Sequence, residues 1–334
     1  VNGKATVTRS ASSTASAPAT IDLESRIEQL LRHDGGELDA FVVSIERDVP
    51  VPNTRGRVHC NLLSLDGNGM PRTNDLARWL TYHVIDYAIP RGQIVDAKTY
   101  DQAHNSTRRM AELKAKAVRL FTQIAKTGEP GELLLYILAQ SQLRLPQLFC
   151  KMPHKTSPNV HVHGTDGIHV GIDPVTRKLM LYWGESKLYQ SVTSAVTEAL
   201  DSIKPFICRE GGSGASYERD LQLMRDNLDL NDADLEDAIL HFLDRDDPQH
   251  NQVQFRGMCL IGFDHAVYPT TQNEKDIDAI IGEARMALQA WLATVEALIS
   301  NRPPLASIHL ELFLVPFPSV ADFRTAFLNE MRCA

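Results

Sequence analysis

Short apolar runs alternate with amphipathic stretches along the chain, and this alternation sets out its elements before any chemistry is considered. Residues 21–33, "IDLESRIEQLLRH", predict a short amphipathic helix. "DAFVVSIE" and "VHCNLLSLD" predict two strands, separated by the Pro- and Gly-rich "RDVPVPNTRGR". Helical patterns follow at about 74–88 and 98–126, and "EPGE" then breaks the chain. Beyond it, "GELLLYILAQSQ" is apolar on nearly every side, the mark of a helix buried on most faces. "LPQLFCKM" and "NVHVHG" predict short strands, and "GTDGIHVGIDPVTRKLMLYWGESKLYQ" predicts two more around the turn "DPVTRK". "LYQSVTSAVTEALDSI" places Val192, Val196, Leu200 and Ile203 on one helical stripe. "VQFRGMCLIGF" predicts a buried strand, 274–300 a long helix, and "SIHLELFLV" an alternating strand. The last helix opens at "SVAD", where Ser319 and Asp322 suit a capping box.

That order predicts an α/β fold, with a mixed α+β sheet and helices packed on it. Three regions are expected: a Ser/Ala/Thr-rich tail over 1–20, an N-terminal α+β region over 21–128, and a second region over 129–334. The second carries an acidic helical insertion at about 209–250. With 43% hydrophobic residues the chain can bury a core, and no apolar run reaches the roughly 18–20 residues needed to span a bilayer. The expectation is a cytoplasmic protein without membrane contact. The five cysteines, Cys60, Cys150, Cys208, Cys259 and Cys333, are scattered and include no C-x-x-C, which argues against a disulfide framework or a cysteine zinc site. Net charge is −8, but residues 216–250 hold eleven acidic residues against three arginines, so the rest of the chain is neutral. Such a body does not hold long duplex DNA tightly unaided, so a nucleic-acid substrate would need delivery by another component.

The hairpin "GTDGIHVGIDPVTRKLMLYWGESKLYQ" can be tested by register. Symmetric pairing puts residue i opposite 351 − i, so Ile168 faces Trp183, Val170 faces Leu181 and Ile172 faces Leu179 on one apolar face. The same register sets Asp166 opposite Glu185 on that face, with Lys187 two residues further on. Two carboxylates and an amine at the edge of an apolar layer are expensive to bury without a partner, and a divalent cation between the carboxylates would supply one. Mg²⁺ takes one or two carboxylates and leaves its other positions to water and phosphate oxygens. With a lysine beside it, the constellation suits phosphodiester hydrolysis.

A helix opening with "GE", a strand with Asp166, and a strand with "ESK" running into a helix resemble the PD-(D/E)xK nuclease superfamily. More narrowly, "KMPHKTSPNVHVHGTDGIHVGI" and "LYWGESKLY" resemble the nuclease subunit (HamA) of Hachiman anti-phage systems and its close relative in the AbpAB system, most clearly over about 130–205. The resemblance implies a restriction-endonuclease-like core carrying an N-terminal α+β region. It makes Asp166 and Glu185 ligands of Mg²⁺ (or Mn²⁺), Lys187 the catalytic lysine, and Glu132 the helix-borne acid and a further ligand. Gln190 would be a supporting polar residue, although superfamily branches with Q-x-x-x-Y carry tyrosine where this chain has Ser194. It also implies a DNA substrate and a superfamily 2 helicase partner (HamB-like) that controls a DNA-degrading defence effector. The N-terminal region and the acidic insertion are then natural docking surfaces.

Two other classes compete. His154, His161, His163 and His169 cluster in "HKTSPNVHVHGTDGIH", which suits a His/Asp metal phosphoesterase. Strand parity sets His161, His163 and His169 on the face opposite Asp166, against that reading. A nuclease-like subunit that only binds DNA or a partner is the third class, and keeping Asp, Glu and Lys together argues against it. "DLNDADLED" lacks the ligand and glycine of a calcium loop and is expected to be a solvated acidic helix.

Overall fold

The computed structural model describes residues 22–32, 36–121, 128–149, 151–152, 165–209 and 216–334. The expected tail, the expected strand "NVHVHG", and His154, His161 and His163 lie outside the described residues. Helix α1 (Leu23–Glu28) precedes the hairpin β1 (Val42–Pro50) and β2 (Gly56–Leu63). Four helices follow: α2 (Thr73–Thr81), α3 (Val84–Ala88), α4 (Arg91–Ala103) and α5 (Arg108–Leu120). Next come α6 (Glu129–Leu143), β3 (Gln147–Phe149), β4 (Gly167–Ile172), β5 (Leu179–Tyr189) and α7 (Val192–Ile207). The acidic insertion forms α8 (Ser216–Asn227) and α9 (Ala233–Leu243). The chain closes with β6 (Val253–Asp264), α10 (Ile277–Ser300), α11 (Pro303–Ala306), β7 (Leu310–Phe317) and α12 (Val320–Cys333).

Among the described residues, seven strands form one mixed sheet in the order β1-β2-β7-β6-β5-β4-β3. Its centre, β2, β7, β6 and β5, is parallel, and antiparallel pairs flank it on both sides. The expected break near residue 128 falls between α5 and α6, yet strands from both sides of it share this sheet, through the pairing of β2 with β7. The central strands read as nearly continuous apolar runs because helices cover both faces. A Cβ on Gly257 would meet Ile203 and Ile207, so α7 packs on the face that Gly257 shares with its partner Trp183. On the other face α6 packs against β5, where a Cβ on Gly184 would meet Leu135. Helix α6 is buried over most of its length, as its all-round apolarity requires.

The single helix expected over 98–126 is instead two, α4 and α5, with 122–127 outside the described residues. Pro90 supplies the N-cap of α4, and Asn105 turns the chain at φ 48°. The buried Asp101 carboxylate then accepts from the backbone N–H groups of Arg109 (3.0 Å) and Met110 (3.0 Å), capping α5. At α12 the Ser319 hydroxyl accepts from Asp322 N at 3.1 Å, as its cap spacing predicts. The insertion is not a free solvated helix pair. Asp220 is fully buried, Asp229 accepts from Gly92 N (2.8 Å), and Asp232 pairs with Arg26 on α1 (2.8 Å).

Candidate active site

Strands β4 and β5 pair in the register the apolar pattern demands, from Gly167↔Gly184 to Ile172↔Leu179, with Ile168 opposite Trp183 and Val170 opposite Leu181. Alternation along β5 then carries Glu185 and Lys187 onto the α7 face beyond Trp183. Glu185 is buried beside Cys259 of β6, and Lys187 is half-buried, its Nζ 2.7 Å from Glu185 Oε1.

Asp166 departs from simple cross-strand pairing. The ladder ends at Gly167, and Asp166 N donates to Gly184 O at 2.9 Å. Its carboxylate then turns onto the open strand edge, where Oδ2 accepts from Ser186 N (2.6 Å) and Ser186 Oγ (2.9 Å). The carboxylate takes the place of the next strand carbonyl and satisfies an N–H that would otherwise have no partner at the ladder end. Ser186 points to the α6 face, where α6 crosses with Gly131. A Cβ at that position would lie 3.2 Å from Ser186 Oγ and 3.1 Å from Leu188 Cγ, so glycine permits the close crossing.

The crossing also brings Glu132 to the site's rim. Tyr87 Oη lies 3.0 Å from Glu132 Oε2 and 3.2 Å from Asp166 O, linking the Glu132 carboxylate to the main-chain carbonyl of Asp166. Among the described residues no three His, Cys, Asp or Glu side chains converge to hold an ion. Asp166 and Glu185 lie close enough for the charge of one to raise the pKa of the other, and Glu132 reaches Asp166 through the Tyr87 hydroxyl. Gln190 lies just past β5, exposed, and its carbonyl accepts from Asp264 N at 3.2 Å.

The electrostatics of the pair are strained. Burial, reinforced by the charge of Asp166, raises the Glu185 pKa to about 8, against the opposing pull of Lys187 and Lys151. Burial likewise raises Asp166, opposed by the Ser186 N–H and by both lysines. Burial alone would lower Lys187, but Glu185 and Asp166 outweigh it and hold the ammonium above its ordinary value. A buried carboxylate and a half-buried one, both resisting ionisation, are a donor set that a hard divalent ion fits.

His169 behaves otherwise. It is buried on the opposite face from the carboxylates, with Nδ1 2.8 Å from Leu145 O, and burial lowers its pKa to about 4. It is a neutral core histidine held by a backbone carbonyl, not a partner of Asp166.

Sequence reasoning missed Tyr87, Ser186, Lys151 and Asp220. Lys151 and Asp220 form a buried ion pair at 2.7 Å next to the site. One signal was available: Asp220 falls on the stripe of Tyr217, Leu221 and Met224, the buried side of α8, where an acid needs a partner.

A family model described as HamA matches residues 39–331, nearly the whole chain. No curated protein matches it.

Proposed function

The chain belongs to the HamA family of Hachiman anti-phage defence, and from that membership and its paired carboxylates we propose that it is a metal-dependent DNA nuclease. The observation that carries the reading is the buried Glu185, within reach of the Asp166 charge and with Lys187 2.7 Å from its carboxylate. Structural ion pairs normally balance their charge, whereas here Lys187 is the one amine bonded to Glu185, Lys151 is engaged by Asp220, and Glu185 is left reluctant to ionise.

In the proposed site Asp166 and Glu185 hold Mg²⁺ or Mn²⁺, which when bound supplies Lewis acidity toward a phosphodiester and lowers the pKa of water. Ser186 fixes the Asp166 carboxylate through two hydrogen bonds, so its geometry is set before substrate arrives. Lys187, whose Nζ lies 2.7 Å from Glu185 Oε1, would carry a proton beside the site. From there it orients the attacking water and stabilises charge developing on the phosphate. Glu132 and Tyr87 support the Asp166 backbone from the α6 side.

Hachiman membership implies a partner, and we assign that role to a superfamily 2 helicase subunit that holds the DNA and releases cleavage. The chain's net charge of −8 supports this division of labour, because an acidic protein does not capture polyanions efficiently by itself. The reading is tested on plasmid DNA with Mg²⁺ or Mn²⁺, with and without the partner. Wild type is expected to cleave in the complex and to be weak or silent alone. Glu185→Ala and Lys187→Ala are each expected to lose about 100-fold or more. Cleavage that survives both substitutions sinks the assigned site, and strong unregulated cleavage by the single chain sinks the control by a partner.

A further inference from the structure

Lys151 plays no part in the mechanism above, yet it is one of the most enclosed cations in the protein. Its Nζ lies 2.7 Å from Asp220 Oδ2 on α8, 2.9 Å from Thr165 O and 3.2 Å from Thr165 Oγ1. Thr165 Oγ1 is in turn 3.4 Å from Asp220 Oδ2, closing a small network. The side chains of Lys151 and Asp220 are 7% and 1% exposed. An apolar pair of similar volume would serve stability equally well or better, so stability alone gives a weak reason for ions here.

Position gives a better one. Thr165 immediately precedes Asp166, so the network grips the backbone on one side of that residue while Ser186 grips its carboxylate on the other. The Lys151 ammonium also opposes the effect of burial on both Asp166 and Glu185, which places its charge within reach of the pair.

We propose that Lys151, itself oriented by Asp220, is a positioning residue that fixes Thr165 and thereby aims the Asp166 carboxylate at the ion. The insertion helix α8 is on this reading part of the active site's support. The inference rests on Asp166 being an ion ligand, and its effect is that of an outer partner of a ligand, whose loss typically costs about 10–100-fold in metal affinity.

The test measures Mn²⁺ affinity of the full chain by electron paramagnetic resonance titration without DNA, together with thermal unfolding. Lys151→Met alone strands a buried aspartate and is expected to lower the melting temperature. Lys151→Met combined with Asp220→Leu removes both charges and is expected to recover the fold while Mn²⁺ affinity stays at least about 10-fold below wild type. A purely structural pair would return affinity together with stability. Should the double variant not fold, Asp220→Asn, which keeps an acceptor for Lys151, is expected to weaken Mn²⁺ in the same direction, and unchanged affinity in it overturns the proposal. If wild type binds Mn²⁺ no better than Glu185→Gln, the ligand reading itself fails and this inference falls with it. If wild type binds and the folded double variant binds equally well, only the inference falls.

Discussion

Two aspartates stand at opposite ends of β4, and the fold treats them in opposite ways. Asp173, at the turn into β5, accepts from Val175 N (3.0 Å) and Thr176 N (2.8 Å) and pairs with the buried Arg256. The Thr176 N–H, with Arg256 added and burial opposing, holds its carboxyl well below the usual range. Asp166, at the open end, is pushed the other way by desolvation and stands beside the buried Glu185. Burial of charge is common to both ends. The difference is balance: the turn satisfies its aspartate completely, whereas at the open end Lys187 bonds Glu185 and burial still holds the Glu185 pKa high.

The sharpest break of that comparison separates activity from stability. Asp173→Ala strands Arg256 and is expected to cost about 3 kcal/mol of stability, read by urea unfolding, while cleavage per folded molecule persists. Glu185→Ala is expected to do the reverse, abolishing cleavage while leaving the metal-free protein at least as stable as wild type. Equal effects of the two substitutions on both readouts would erase the distinction.

A second contrast is in pH. The Glu185 pKa is raised from 4.5 to about 8, so the stability its bound proton provides is complete below about 4.5 and is lost as pH climbs through about 8. The metal-free melting temperature is therefore expected to fall across that window, the fall to be smaller in Glu185→Gln, and Mn²⁺ to reverse it. Asp173 is depressed below its ordinary 3.8, so its contribution is present above that value and lost only as pH falls further. Asp173→Asn should leave the neutral-pH slope untouched. Mn²⁺ binding at pH 7 should release a proton, measurable by calorimetry in buffers of different ionisation enthalpy, and release should fade above about pH 8.

The smallest effect is expected at Ser186. Ser186→Ala removes the 2.9 Å hydroxyl bond to Asp166 but keeps the backbone bond at 2.6 Å. A loss of about 1 kcal/mol, or about 5-fold in Mn²⁺ affinity, follows. No change would mean that the backbone alone fixes the carboxylate.

The β4–β5 hairpin was legible because its information is local: apolar residues alternate on both strands, and a six-residue turn sets the register. Glu185 and Lys187 share a face by the same alternation. The turn of Asp166 onto Ser186 was not legible, because strand periodicity says nothing about where a ladder ends. Nor was the link from Lys151 to Asp220, whose partners are 69 residues apart, with Asp220 concealed among the eleven acids of residues 216–250. The two-helix outcome over 91–120 turned on the buried cap at Asp101, which a charged amphipathic pattern disguises. The family resemblance, carried on motifs near 130–205, extends by the family match to 39–331 and so takes in the N-terminal hairpin.

That hairpin pairs in parallel with β7, which lies at the centre of the sheet although it is the last strand in sequence. During synthesis β1 and β2 emerge first and must wait for the strand they will join, since no other strand of the sheet pairs with β2 on that side. Such a distant pairing makes folding slow and keeps the sheet incomplete until β7 has emerged. A ribosome-bound fragment holding Asp166, Glu185 and Lys187 but lacking β7 has β6 without its second neighbour and the hairpin undocked. The order of synthesis thus delays the finished sheet behind the site until β7 is made.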